Sequence, residues 1–128
     1  MMPNREALAW AAGLFDGEGG TYGGKGNGVT MRVGQVDDNR EVLERFHAAV
    51  GGIGRIRGPY PMGTGRPQSE WRITSWPQVQ AVVAMLWPWL GTEKREQAKA
   101  VLARCVAPKR GWGGRMTYRR PGGESEVG

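Results

Sequence analysis

Between Leu8 and Gly19 the chain reads as a helix of small residues that stops on two acids set one residue apart. Ala7, Leu8, Ala11, Ala12, Leu14 and Phe15 recur at helical spacing from Asn4 or Arg5 to Asp16, and Pro3 suits a helix start. Gly13 and Gly17 stand four apart, which on a helix makes a stripe without side chains where a second backbone can pack closely. Asp16-Gly17-Glu18-Gly19 then puts a carboxylate where the helix macrodipole prefers a cation. Two readings fit: Glu18 is held there for another purpose, with divalent-metal binding the first candidate, or the four residues form an ordinary exposed turn.

Seven glycines lie between Gly17 and Gly28, and from Val29 the period changes to two. Val29, Met31 and Val33 share one face and Thr30, Arg32 and Gly34 the other, the pattern of a half-buried strand. Thr21 and Tyr22 precede the loop Gly23–Gly28, so the simplest construction is a hairpin with a flexible glycine-rich tip that carries Lys25. Asp37 or Asp38 is suited to cap a second helix with apolar positions Val42, Leu43, Phe46 and Val50, ended by Gly51-Gly52. A second hairpin is expected from strands at 53–57 and 69–75 with a loop over 58–67, Trp71 and Ile73 facing one way and Glu70, Arg72 and Thr74 the other. Pro77 suits the first turn of a third helix with Val79, Val82, Val83, Leu86 and Leu90 on its buried face, and a fourth runs from about Glu93 to Cys105. The order is α-β-β-α-β-β-α-α, an α+β chain. Residues 1–106 form one domain; 107–128, with five basic residues against two acidic and no periodicity, read as a mobile basic tail in which Trp112 and Tyr118 could meet nucleic acid.

At 128 residues there is material for one core, and a two-domain enzyme is excluded. A net charge of +6 favours a polyanionic partner, nucleic acid first. Cys105 is the one cysteine, which excludes an intrachain disulfide and a cysteine-rich zinc site. No apolar run reaches membrane-spanning length and the N-terminus lacks a signal pattern, so the expectation is a soluble protein of the cytoplasm or an organelle, not secreted and without a membrane partner. Alternation places Arg32, Arg55, Arg57, Glu70 and Arg72 on one sheet face; either this face enters a DNA groove or its arginines only solubilise it. His47 and Cys105 read as packing residues, as do Trp76, Trp87 and Trp89.

Ala11–Gly19 resembles the LAGLIDADG motif of homing endonucleases, with Gly13-Leu14, Asp16, an acid at Glu18 and Gly19 in their places. Ala11, Phe15, Gly17 and Glu18 are its departures. Val33-Gly34-Gln35 resembles the end of that family's second strand, Val50–Ile56 its helix-to-strand turn, and Leu90–Ala98 the late segment bearing an active-site lysine, so matches run in order from about residue 8 to 104. The resemblance implies the fold α-β-β-α-β-β-α, with a four-stranded antiparallel DNA-binding sheet backed by helices. It further implies a homodimer that packs Ala12, Gly13, Asp16 and Gly17 of two motif helices together, acting on long, near-palindromic double-stranded DNA. Glu18 and the Gly17 carbonyl would hold Mg²⁺ and no small-molecule cofactor is implied. Lys94 would stabilise the reacting phosphate and Gln35 would position water. Arg32, Arg55, Arg57, Glu70, Arg72 and Lys25 would meet DNA. The family's basic residue near the start of helix two has no clear match, since Asn39 and Arg40 stand there. Implied alternatives to the endonuclease are a catalytically weak DNA-binding regulator of this fold and an RNA-splicing maturase.

Overall fold

A computed structural model describes residues 4–106, with the side chains of Cys105 and Val106 left aside. The expected basic tail, with Trp112 and Tyr118, lies outside the described residues. Helix α1 (Arg5–Glu18) is capped by Asn4, whose side chain accepts from the Ala7 N–H. It runs two residues beyond the expected end and passes without a loop into β1 (Gly19–Gly23), because the Gly19 N–H closes the last turn on the Phe15 carbonyl. Strand β2 (Val29–Val36) buries Val29, Met31 and Val33 and leaves Thr30, Arg32 and Gly34 half exposed, the face assignment that alternation predicts. Helix α2 (Arg40–Ala49) follows, then β3 (Arg55–Met62), β4 (Gly65–Ile73), α3 (Trp76–Leu86) and α4 (Thr92–Val106). The four strands form one antiparallel sheet in the order β1-β2-β4-β3.

Three expectations are corrected. Asp37 and Asp38 do not cap α2: they form a 3-10 turn over Asp37–Asn39, where Asp37 accepts from the Ser69 hydroxyl and Asp38 pairs with Arg66 at 3.2 Å. The supposed loop over 58–67 is mostly strand. Pro59 and Pro61 lie in edge strand β3, where a missing N–H costs no ladder bond on the open side, and Pro67 lies beyond the point where β2 pairing with β4 ends at Gln68. The first hairpin tip is pinned, since Arg104 donates to the carbonyls of Gly24 (3.2 Å) and Gly26 (2.6 Å) and the Trp76 indole donates to Asn27 (2.7 Å). His47 also does more than pack: its Nε2 lies 3.0 Å from the carbonyls of both Gly52 and Gly54, so it holds the turn between α2 and β3.

All helices cover one face of the sheet. The core between them is organised on aromatic contacts: Phe15 stacks on Phe46 at 6.5 Å, and Phe46 meets the edge of Trp71 at 4.7 Å. Trp71 is fully buried and donates to the Ile53 carbonyl at 2.8 Å. Gly54, at φ +94°, makes room for it, because a Cβ there would stand 2.6 Å from the indole nitrogen. Emptying this position is expected to cost about 3–5 kcal/mol, a large part of a small domain's stability. Urea unfolding of Trp71→Ala should show that loss; a loss below about 1 kcal/mol would mean the core does not rest on this ring.

Candidate nucleic-acid interface and active site

The end of α1 is tied to α4 at two points. Both carboxylate oxygens of Asp16 lie within hydrogen-bond distance of the Gly91 N–H, at 3.0 and 3.1 Å, just ahead of α4. Five residues on, the Thr21 N–H donates to the Gln97 side-chain oxygen at 2.9 Å. The stretches 16–21 and 91–97 therefore run alongside each other, with Glu18 inside the first and Lys94 inside the second. Glu18 is exposed and Lys94 half-buried. Gly19 pairs with Val33, two residues before Gln35, so Gln35 lies at the same end of the sheet as the end of α1. Its side-chain oxygen accepts from Asn39 at 3.3 Å. Arg40 is no substitute for the absent basic residue, because it is turned to Ser69 at 3.1 Å and to Asp37 at 3.5 Å.

A helix leaves its last carbonyls without intrahelical partners. The N–H four residues beyond Gly17 belongs to Thr21 and is taken by Gln97, so the Gly17 carbonyl lacks that bond. Among the described residues no group of three or more His, Cys, Asp or Glu side chains is close enough to hold a metal ion. With Asp16 engaged at Gly91, Glu18 is the exposed carboxylate at this helix end, next in sequence to the Gly17 carbonyl. These are hard oxygen donors of the kind Mg²⁺ takes, and they are too few to hold the ion by themselves.

Gly13 and Gly17 are exposed, and a Cβ at either would meet nothing within 4 Å, so this stripe of α1 is open on the single chain. Ala12 does not belong to it. Expected at the helix contact, it is fully buried in the chain's own core, since it lies on the side of α1 that faces the sheet. Asp16 is half-buried and occupied with Gly91.

The opposite face of the sheet carries the arginines. Register sets Arg32 opposite Arg72 and Arg72 opposite Arg55, and in the next row Gly34, Glu70 and Arg57 lie side by side. Arg55, Arg57, Arg72 and Thr74 line an open cavity of about 250 Å³. Glu70, 9% exposed, accepts from Arg32 Nε at 2.7 Å and lies 3.2 Å from Arg72 Nε. Lys25 is exposed in the β1–β2 turn, at the far end of β1 from Glu18. Tyr22 and Tyr60 were missed by sequence reasoning. They are 46% and 40% exposed and share this face through their pairing with Thr30 and Gln68. The parity of Tyr22 with Gly20 and Arg32 was a usable signal; Tyr60 was hidden by the prolines around it.

No protein-family model and no curated protein matches the sequence. Solved structures do match. The homing endonuclease I-CvuI, in complex with its target in the presence of Ca, is 24% identical at a TM-score of 0.58, over 77% of this chain and 65% of that one. The homing endonuclease I-TnaI is 22% identical at a TM-score of 0.61, over 79% and 70%. The LAGLIDADG meganuclease I-CpaMI, bound to uncleaved DNA, is 19% identical at 0.58, over 80% of this chain and 36% of that one. The chain thus spans about two thirds of the length of I-CvuI and little more than a third of I-CpaMI.

The tie between α1 and α4 is testable on its own. Asp16→Ala should cost about 1 kcal/mol and speed hydrogen exchange at the Gly91 amide about fivefold, leaving the Trp71 region protected. Unchanged exchange at Gly91 would show that Asp16 does not hold α4. With its α+β order, its four-stranded antiparallel sheet and these neighbours, the chain has the LAGLIDADG homing-endonuclease fold.

Proposed function

We infer that this protein is a divalent-metal-dependent DNA endonuclease that acts as a homodimer on a long, near-palindromic double-stranded site. The observation that carries the reading is the pair of ties, Asp16 to Gly91 and Thr21 to Gln97, that holds the segment with exposed Glu18 against the segment with Lys94, at the end of a helix whose glycine face is open. The fold neighbours named above support it, being homing endonucleases and a meganuclease, of which I-CvuI is in complex with its target and I-CpaMI is bound to uncleaved DNA.

In this reading two α1 helices meet along Gly13 and Gly17, because only there can backbones approach without a side chain between them. The contact brings the two Glu18 carboxylates and Gly17 carbonyls together, the donor set for Mg²⁺. When bound, the metal supplies charge stabilisation at the scissile phosphate and an acidified water. Lys94 contributes its ammonium to the charge that develops on the phosphate, and Gln35 orients water through its amide, already steadied by Asn39. The arginine face lies along the major groove and Lys25 reaches toward the backbone. A regulator without nuclease activity is favoured by one observation: Asn39 and the engaged Arg40 leave no free base at the start of α2.

Selection of cleaved sites from randomised duplex DNA in Mg²⁺ separates the two. The endonuclease reading expects cutting by the native chain and none by Glu18→Gln, which should still bind the selected site in Ca²⁺. Mg²⁺-dependent cutting by Glu18→Gln would remove Glu18 from the metal site, and absence of cutting by the native chain would favour the regulator. Gly13→Leu should sediment as a monomer where the native chain sediments as a dimer; an unchanged dimer would place the contact elsewhere.

A further inference from the structure

The arginines on the sheet face fall into two groups. Arg32, Arg72 and Arg55 stand directly opposite one another on three neighbouring strands, an arrangement of like charges that is unfavourable unless something offsets it. Glu70 is placed to do so. It stands two residues from Arg72 on β4 and diagonal to Arg32 on β2, and its two oxygens divide between them: Arg32 Nε donates to one at 2.7 Å, and Arg72 Nε lies 3.2 Å from the other, off the hydrogen-bond direction and without another partner among the described residues. Arg32 reaches Glu70 only by turning along its own strand over Gly34. A Cβ on Gly34 would stand 2.8 Å from the Arg32 Nη2. By contrast, Arg55 and Arg57 make no ion pair among the described residues and are exposed.

We propose that Glu70 is a specificity-determining positioning residue, which holds Arg32 and Arg72 across β2 and β4 and withholds them from indiscriminate phosphate binding. This rests on the DNA-binding reading above. A guanidinium that is already paired gains less from a backbone phosphate, which any sequence offers, while its remaining N–H groups stay aimed in a fixed direction for a base edge. General attraction to DNA then falls to Arg55 and Arg57. Glu70, nine-tenths buried beneath the guanidinium groups, is poorly placed to meet a base itself.

The test is DNA binding in Ca²⁺, without cleavage, as a function of salt. The probes are a mixed-sequence duplex and the site that the native chain selects from a randomised pool. Glu70→Gln keeps the side chain's shape and removes its charge. It should bind the mixed duplex more tightly and steepen the salt dependence by about 0.9 to 1.8 per chain, the equivalent of one or two more phosphate contacts. Its preference for the selected site over the mixed duplex should fall about tenfold. Gly34→Ala, which displaces only the end of a flexible arginine, should change both quantities in the same directions by a smaller amount, and Glu70→Asp should restore part of the preference. Arg57→Ala should do the opposite on the mixed duplex, weakening binding and flattening the salt dependence by about 0.9. A salt slope and preference in Glu70→Gln equal to those of the native chain would overturn the proposal while leaving DNA binding intact. If the native chain binds neither probe, the DNA-binding reading falls and the proposal with it. Were Glu70→Gln to unfold, unchanged values in Gly34→Ala would still overturn the clamp.

Discussion

The junction of α1 with β1 governs the rest of the molecule. The helix passes into the strand without a loop because one backbone bond, Gly19 N–H to Phe15 carbonyl, closes the last turn as Gly19 enters the sheet opposite Val33. Phe15, in the same turn, is pressed into the core against Phe46, and through it against Trp71 in the middle of the sheet. Glu18 consequently has little freedom of position. It is set by a helix, a strand and a core aromatic together, and α4 is then fastened on both sides of it. In the proposed dimer, where Glu18 would share a site with its counterpart, such fixing would matter because small displacements are costly in catalysis.

Glycine has three separate uses around this junction. At Gly13 and Gly17 the missing side chain leaves an open helix face; at Gly54 it makes room for the Trp71 ring; at Gly34 it lets an arginine lie down on its own strand. These are spatial roles and not merely loop flexibility. They account for part of the large glycine count of a chain with a well-formed core. The hairpin tip that looked loose in sequence is tied down by Arg104 and Trp76, so even there glycine serves a held turn.

Much of the fold was legible because periodicity changes cleanly along the chain. Val29, Met31 and Val33 could only be one face of a strand, Val79, Val82, Val83 and Leu86 one face of a helix, and both are buried as read. Failures came where a residue type carries two meanings. Prolines at 59, 61 and 67 read as loop, although an edge strand tolerates the first two and Pro67 lies in β4 beyond the end of its pairing with β2. Asp37 and Asp38 look like caps, yet their carboxylates find Ser69 and Arg66. Ala12 is as small as its glycine neighbours, and spacing alone does not tell a small residue facing the core from one facing outward. Of the candidate site, Glu18 stands out in the sequence as an acid at a helix end, while Gln35 and Lys94 are singled out only by the family resemblance. The pairing of Glu70 with two arginines was not readable, because alternation assigns a face and says nothing of where a long side chain bends.

The account's central claim is that two copies of one acid, on two copies of one helix end, act together on the two strands of a duplex. Mapping both broken bonds in a DNA site cut by the purified chain in Mg²⁺ tests it most directly. The account predicts one break in each strand, related by a two-fold axis through the centre of the site, in DNA whose half-sites resemble each other. A nick confined to one strand, or two breaks with no symmetry relation to the recognised bases, would contradict it.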